Sequence, residues 1–207
     1  MIRYAKINKN DIANGLGVRV SLFVTGCNIK CPGCHNKEIQ DFHSGKPFTM
    51  ETLHEIYDAL SPDYISGLSI LGGEPLDPAN IGTVYRIVSK VQNFFKENNL
   101  KKDIWLWTGY TLEELQKRNE FIRVPQFIDA GGIYEEIPYN RIFAEMMSKY
   151  LINVLIDGPF EIDKKDITLK FRGSWNQNIY QNFDRTRHKE YAQKNFLEVV
   201  KHEKLQK

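Results

Sequence analysis

Three cysteines occur in the 207-residue chain, and all three fall in one short run, Cys27-Asn-Ile-Lys-Cys31-Pro-Gly-Cys34. An odd, clustered set argues against a disulfide framework and for thiols kept reduced for a metal. The backbone here must wrap around whatever the sulfurs bind, and Gly26 and Pro32-Gly33 are turn formers suited to that path. Glycine supplies positive φ, and its missing side chain lets backbone N–H groups approach inorganic sulfide. Three thiolates can hold three corners of a cubic 4Fe–4S cluster, which leaves the fourth iron without a protein sulfur. Electron-transfer clusters are usually closed by four ligands. An iron with an open position can bind a substrate, just as an open zinc site does. The competing reading is zinc on the three cysteines, with His35 or His43 as fourth ligand. No second Cys-x2-Cys pair is present to build a paired zinc knuckle.

At this length one domain with a full core is the expectation. Apolar residues make up 42% and charged residues 26%, ordinary for a soluble globular protein. A net charge of +2 gives no electrostatic case for nucleic acid. No apolar run approaches the roughly 20 residues that span a bilayer, so no membrane partner is expected. The first residues, Met1-Ile-Arg-Tyr-Ala-Lys, lack the apolar stretch of a secretory signal. A cytoplasmic location, where thiols stay reduced, is the consistent expectation.

Strand and helix patterns alternate along the chain. Residues 18–25, 67–71, 103–108 and 151–157 are short apolar or β-branched runs that read as buried strands. Helices are predicted from Thr49, over 79–98, after the Thr111/Glu114 capping box, and over 139–150. Such alternation implies βαβ units and a parallel sheet, whose ligands collect beyond the C-terminal strand ends. Pro125, Gly131, Gly132 and Pro138 make the first part of the 119–150 stretch read as a loop. The tail after residue 183 carries seven Lys or Arg against four Asp or Glu and reads as a charged surface helix.

Each predicted strand end carries a motif. Gly72-Gly73-Glu74-Pro75 follows the second strand; its glycines allow close approach of a ligand, and Glu74 suits an ammonium group. By itself the same run is also an ordinary turn. Trp105 and Trp107-Thr-Gly-Tyr110 can wall a pocket, although core packing is the simpler role for Trp105. Asp157-Gly158 can accept ribose hydroxyls or simply cap the next turn. Arg172-Gly-Ser-Trp-Asn176-Gln177 is a polar loop in which Arg172 can pair with a carboxylate.

The Cys-x3-Cys-x2-Cys spacing resembles that of the radical S-adenosylmethionine enzymes. The order of the other blocks narrows the resemblance to the glycyl-radical activases of anaerobic ribonucleoside-triphosphate reductases. These blocks are Asn14-Gly-Leu-Gly17 with Arg19, Leu22 to Cys27, Cys31 to Asn36, Gly72 to Leu76, Asp103-Ile-Trp, Trp107 to Tyr110, Asn153 to Gly158, and Arg172-Gly-Ser with Asn176-Gln177.

This resemblance implies an α/β fold, a partial parallel (β/α) barrel over residues 1–183 with an insertion near 119–150, followed by a charged tail over 184–207. It implies a 4Fe–4S cluster on Cys27, Cys31 and Cys34. S-adenosylmethionine is expected beside Gly33, Cys34 and His35, with its ammonium at Gly72, Gly73 and Glu74 and its ribose at Asp157. The implied reaction is reductive cleavage of S-adenosylmethionine, followed by hydrogen removal from a glycine on the reductase. A low-potential electron donor such as a flavodoxin is also implied. Many superfamily members carry an aromatic residue where this chain has Gly33, and a basic residue where it has Pro159. Two other classes share some of these features: a radical enzyme of the deazapurine-synthase type acting on a small molecule, and a zinc-binding module.

Overall fold

The computed structural model describes residues 2–128 and 133–181, and the backbone of 198–199. Its strands are β1 (Arg3–Asp11), β2 (Val18–Val24), β3 (Lys46–Pro47), β4 (Ile65–Gly72), β5 (Asp103–Trp107), β6 (Phe121–Pro125), β7 (Tyr134–Pro138), β8 (Val154–Asp157), β9 (Asn178–Gln181) and β10 (Glu198–Val199). Its α-helices are α1 (Met50–Leu60), α2 (Ile81–Glu97), α3 (Leu112–Lys117) and α4 (Tyr139–Ser148).

Eight strands form one open sheet in the order β10-β9-β8-β5-β4-β2-β1-β3. The four predicted strands are its centre, and β2, β4, β5 and β8 run parallel. The flanks are antiparallel, with β1 on β2 and β9 on β8. The sheet is therefore mixed rather than purely parallel, and the described strands do not close into a barrel. β1 escaped prediction because its Lys6, Asn8, Lys9 and Asn10 are poor strand formers. Pairing with β2 overrides that preference, and the exposed lysines suit a strand near a sheet edge.

Alternate residues of the parallel strands face two different environments. Leu22, Ile70, Leu106 and Leu155 point to the side where α1, α2 and α4 pack, and they share the main core with Leu53, Val84 and Met146. Each fully buried aliphatic side chain there contributes roughly 1.5–3 kcal/mol. The other face carries Phe23, Leu71, Trp105 and Ile156 in two smaller clusters, closed by Ile39, Phe171 and Ile179 from loops and β9. Helices thus cover one face, and the loops that bear the motifs fold over the other.

Two of the four predicted helices, α1 and α3, carry side-chain caps at their starts. Thr49 caps α1 through Thr52, and Thr111 and Glu114 form a reciprocal box at α3. The region expected to be a loop instead forms an antiparallel hairpin, β6–β7. Its period-2 pattern buries Ile122 and Val124 against α2, where a side chain at Gly82 would meet the Arg123 carbonyl at 2.6 Å. Pro125 ends its strand, where a missing N–H costs least. Gly131 and Gly132 lie outside the described residues. So does most of the tail read as a helix, apart from Glu198–Val199, which pairs with β9 as a strand.

Arg19 is fully buried near the start of β2, at the end of the sheet opposite Cys27. It donates to Ser69 Oγ at 2.7 Å and pairs with Asp103 at 2.7 Å. Ser69 Oγ in turn donates to the Asn14 carbonyl at 2.6 Å. The Asn14–Arg19 block therefore ties the β1–β2 turn to β4 and β5.

Candidate metal centre

The cysteine loop leaves the C-terminal end of β2 and is closed at its base by backbone bonds. Gly26 N–H donates to the Ile39 carbonyl and Cys27 N–H to the Gln40 carbonyl, both at 2.9 Å. Cys34 N–H folds back onto the Cys31 carbonyl at 3.2 Å. All three thiols are free; Cys27 is buried, and Cys31 and Cys34 are half-buried.

Backbone donors face the sulfurs. Those of Ile29 and Lys30 reach Cys27, that of Phe160 reaches Cys31, and Asn36 N–H lies 3.4 Å from Cys34 Sγ. Burial still pushes the Cys27 and Cys31 thiols up from their ordinary value. They therefore hold their protons at neutral pH until a metal displaces them.

Among the described residues, no three His, Cys, Asp or Glu side chains are grouped around a single-ion position. Zinc needs four ligands converging on one point. A 4Fe–4S cluster gives each thiolate its own iron, and its sulfides accept backbone N–H bonds. Three sulfurs spread along one loop and ringed by N–H donors fit the second demand. His35 and His43, the fourth ligands of the zinc reading, are both exposed.

The Gly72–Pro75 turn is locked to this loop. Gly73 N–H donates to the Val24 carbonyl and Glu74 N–H to the Gly26 carbonyl, both at 2.8 Å. A Cβ on Gly73 would stand 2.5 Å from the Gly26 carbonyl oxygen. Glycine is thus needed for the approach of two chain segments, whatever a ligand requires. Glu74 is 1% exposed. It accepts from Leu76 N–H at 2.8 Å, Thr108 Oγ1 at 2.7 Å and Gly109 N–H at 2.7 Å. Its carboxylate joins the turn after β4 to the turn after β5. Burial pushes the Glu74 carboxyl up to about 7, against the pull of these three donors.

Sequence reasoning missed Asn80. It is buried, and its amide donates to the Thr25 carbonyl at 3.0 Å and the Glu74 carbonyl at 2.9 Å. Asn28 on Asp77 at 2.9 Å and Asn36 on the Gly72 carbonyl at 3.3 Å add two further ties. The only sequence signal was a cluster of polar residues between a Gly-Gly turn and a helix.

The other strand ends differ in what they offer. Trp105 is core: it is buried, inclined 30° to Trp107 at 5.8 Å and nearly perpendicular to Phe171 at 5.1 Å. Trp107 is half-buried and donates to the Phe171 carbonyl at 2.7 Å. Asp157, the expected ribose acceptor, is 1% exposed. It accepts from Leu112 N–H at 2.7 Å, from Asn178 N–H at 3.2 Å and from the Asn178 amide at 3.0 Å. Three protein donors engage it, so the geometry makes it a brace between α3 and β9.

The loop after β8 lies against the cysteine loop. Gly33 has φ +72°, and a Cβ there would meet Ile162 Cδ1 at 2.5 Å and Phe160 Cε1 at 3.7 Å. The Phe160 ring also lies 5.9 Å from that of His35. Phe160, from a different part of the chain, thus lies beside the residues that flank the third cysteine.

Comparison with known proteins agrees with this arrangement. The family profile described as "4Fe-4S single cluster domain" matches residues 13–180. The anaerobic ribonucleoside-triphosphate reductase-activating protein of Enterobacteria phage T4 is 37% identical over 185 residues, covering 88% of this chain and 96% of its own. Its namesake in Salmonella typhi is 37% identical over 181 residues, covering 86% and 98%. That of Escherichia coli K12 is 37% identical over 172 residues, covering 82% and 92%. With its three cysteines on one loop and these relatives matched over nearly their whole length, the chain belongs to the family of anaerobic ribonucleoside-triphosphate reductase-activating proteins and carries its 4Fe-4S single cluster domain.

Proposed function

We propose that this protein is a radical S-adenosylmethionine enzyme that installs a glycyl radical on an anaerobic ribonucleoside-triphosphate reductase. The observation that carries the reading is the bonding of the only cysteine loop to the Gly72–Glu74 turn at one end of the parallel strands. Cys27, Cys31 and Cys34 would hold the 4Fe–4S cluster. When bound, that cluster supplies the electron that splits S-adenosylmethionine into methionine and a deoxyadenosyl radical, which removes a glycine hydrogen on the partner.

The chain's own residues orient the reactants and keep water away. Gly33 and His35 border the S-adenosylmethionine site. The Gly72–Gly73 backbone faces its ammonium, with Glu74 fixing that backbone from behind. Phe160 and Ile162 cover the cysteine loop on one side. We read the open sheet as a partial (β/α) barrel whose loop-covered face receives the glycine-bearing segment. Residues 1–183 form the working domain, and 184–207 are a charged tail. The protein acts in the reducing cytoplasm, with a low-potential donor such as a flavodoxin.

The test is anaerobic. Protein reconstituted with iron and sulfide is reduced in the presence of S-adenosylmethionine and the reductase. Deoxyadenosine release together with a glycine-centred spin resonance signal is the expected result. Deoxyadenosine without that signal would favour a small-molecule substrate. A saturated mononuclear metal, indifferent to S-adenosylmethionine, would end the radical reading.

A further inference from the structure

We propose that Asn28 is a positioning residue for the cluster: through Asp77 it holds the bow between Cys27 and Cys31 in the shape that aims backbone N–H groups at the Cys27 sulfur. The assignment rests on the proposed function. It adds to that reading a residue that sets how firmly the cluster is held and how readily it takes an electron.

Three observations converge. First, the bow is strained. Lys30 has φ +51°, in the left-handed region that favours glycine. No glycine stands between Cys27 and Cys31 to take that turn instead. A residue held in this region persists only where its surroundings over-determine it. The return for the strain is electrostatic. A turn with a left-handed residue gathers successive N–H groups into a concavity suited to negative charge, and those of Ile29 and Lys30 face Cys27.

Second, both residues ahead of Lys30 are anchored outside the loop. The Asn28 amide donates to Asp77 Oδ2 at 2.9 Å. Asp77 is 1% exposed, and its Oδ1 accepts from Ala79 N–H at 3.0 Å, so the acceptor is fixed in place. Ile29 is seated against the turn after β5, where a Cβ on Gly109 would meet its Cδ1 at 2.6 Å. The bow is thus clamped to the turns after both β4 and β5. Third, the rest of the loop is held by other bonds. Gly26 and Cys27 N–H groups fix its base on Ile39 and Gln40, and the Asn36 amide fixes its far arm on the Gly72 carbonyl. These leave the shape of residues 28–30 to Asn28 and Ile29. Hydrogen bonds to cluster sulfur favour the more negative, reduced form and so raise the potential. Asn28 therefore acts at one remove, through the backbone that follows it.

Protein reconstituted anaerobically with iron and sulfide, without reductase, tests the assignment. Two quantities are read: the rate at which a strong iron chelator bleaches the cluster, and the potential at which half of it is reduced. Asn28→Ala should bleach about 5- to 10-fold faster, the worth of one hydrogen bond to a charged group. Its potential should move negative. Asn28→Asp combined with Asp77→Asn remakes the bond with donor and acceptor interchanged and keeps an oxygen for Ala79 N–H. That exchange should bring bleaching back to within about twofold of wild type. Asn28 is exposed, so the unfolding midpoint of metal-free Asn28→Ala should stay near that of wild type. Unchanged bleaching in Asn28→Ala would overturn the assignment, as would an exchange variant that bleaches as fast. Faster bleaching at an unchanged potential, or with a large fall in the midpoint, would leave Asn28 a structural tie and overturn it too. Wild-type protein that takes up a single ion in place of a cluster would instead overturn the proposed function, and this assignment with it.

Discussion

Replacing Asn80 tests whether the two functional turns are held by one buried amide. Asn80 occupies the N-cap position of α2, yet its side chain makes no capping bond, and its φ and ψ are −106° and −38°. It faces away from the helix, toward the Thr25 and Glu74 carbonyls at 3.0 and 2.9 Å. Asn80→Ala removes two short buried bonds, each with a net worth of about 0.5–1.5 kcal/mol, and a long one to the Gly26 carbonyl at 3.5 Å, and strips the Thr25 carbonyl of this donor. The Glu74 carbonyl keeps Asp77 N–H at 3.2 Å, which limits the loss there. The sum is about 2–3 kcal/mol. At about 2 kcal/mol per molar urea, the midpoint of the metal-free protein should fall by roughly 1 M. Asn80→Asp separates this role from helix capping. Aspartate is a good N-cap and favours the helix dipole, so a capping role predicts a neutral or stabilised variant. Here a carboxylate would face two carbonyl oxygens and should cost more than Asn80→Ala. Iron retention should fall in the same order, since Thr25 and Gly26 lead directly into Cys27. A stable Asn80→Asp protein with full iron would refute the reasoning.

Other consequences follow from the same geometry. Cys31→Ala should abolish both cluster retention and S-adenosylmethionine cleavage; full cleavage in that variant would remove Cys31 from the ligand set. Glu74 has a folded pKa of about 7 against 4.5 for the free group, so the folded state holds its proton more tightly. Its contribution is intact below about pH 4.5 and is lost as pH rises through 7, by an amount on the order of 3 kcal/mol. Glu74→Gln should flatten the stability of metal-free protein between pH 5 and 7, and an unchanged slope would show that another group titrates there. Deleting the hairpin 119–138 would expose α2, so its role is better tested at Phe121, which is 69% exposed. Phe121→Ser should change stability by less than about 0.5 kcal/mol. If the hairpin touches the reductase, that variant should bind it more weakly, and unchanged binding would count against such contact.

Much of the centre was legible because its signals are local. The cysteine spacing, the apolar runs of β2, β4, β5 and β8, and the Thr111–Glu114 box each depend on neighbours within a few residues. The hairpin was obscured because Pro125, Gly131 and Gly132 outweighed a short period-2 pattern. Asn80 left only a weak local trace and Phe160 none, since Asn80 reaches Thr25 more than 50 positions away and Phe160 lies against the distant cysteine loop. The reading of Asp157 as a ribose acceptor took an acidic residue at a strand end as free, when three donors from α3 and β9 converge on it.

From the sequence alone come the metal chemistry and the family, because three sulfurs in one short loop limit what can bind regardless of how the remainder folds. Only the tertiary structure decides which polar groups are already satisfied and which still await a partner. Glu74 and Asp157 are engaged by the protein itself, whereas Ser21 Oγ and Arg172 Nε are buried without a hydrogen-bond partner among the described residues. Hydrogen bonding is a property of atoms brought together in space, and residues far apart in the chain supply most of the partners.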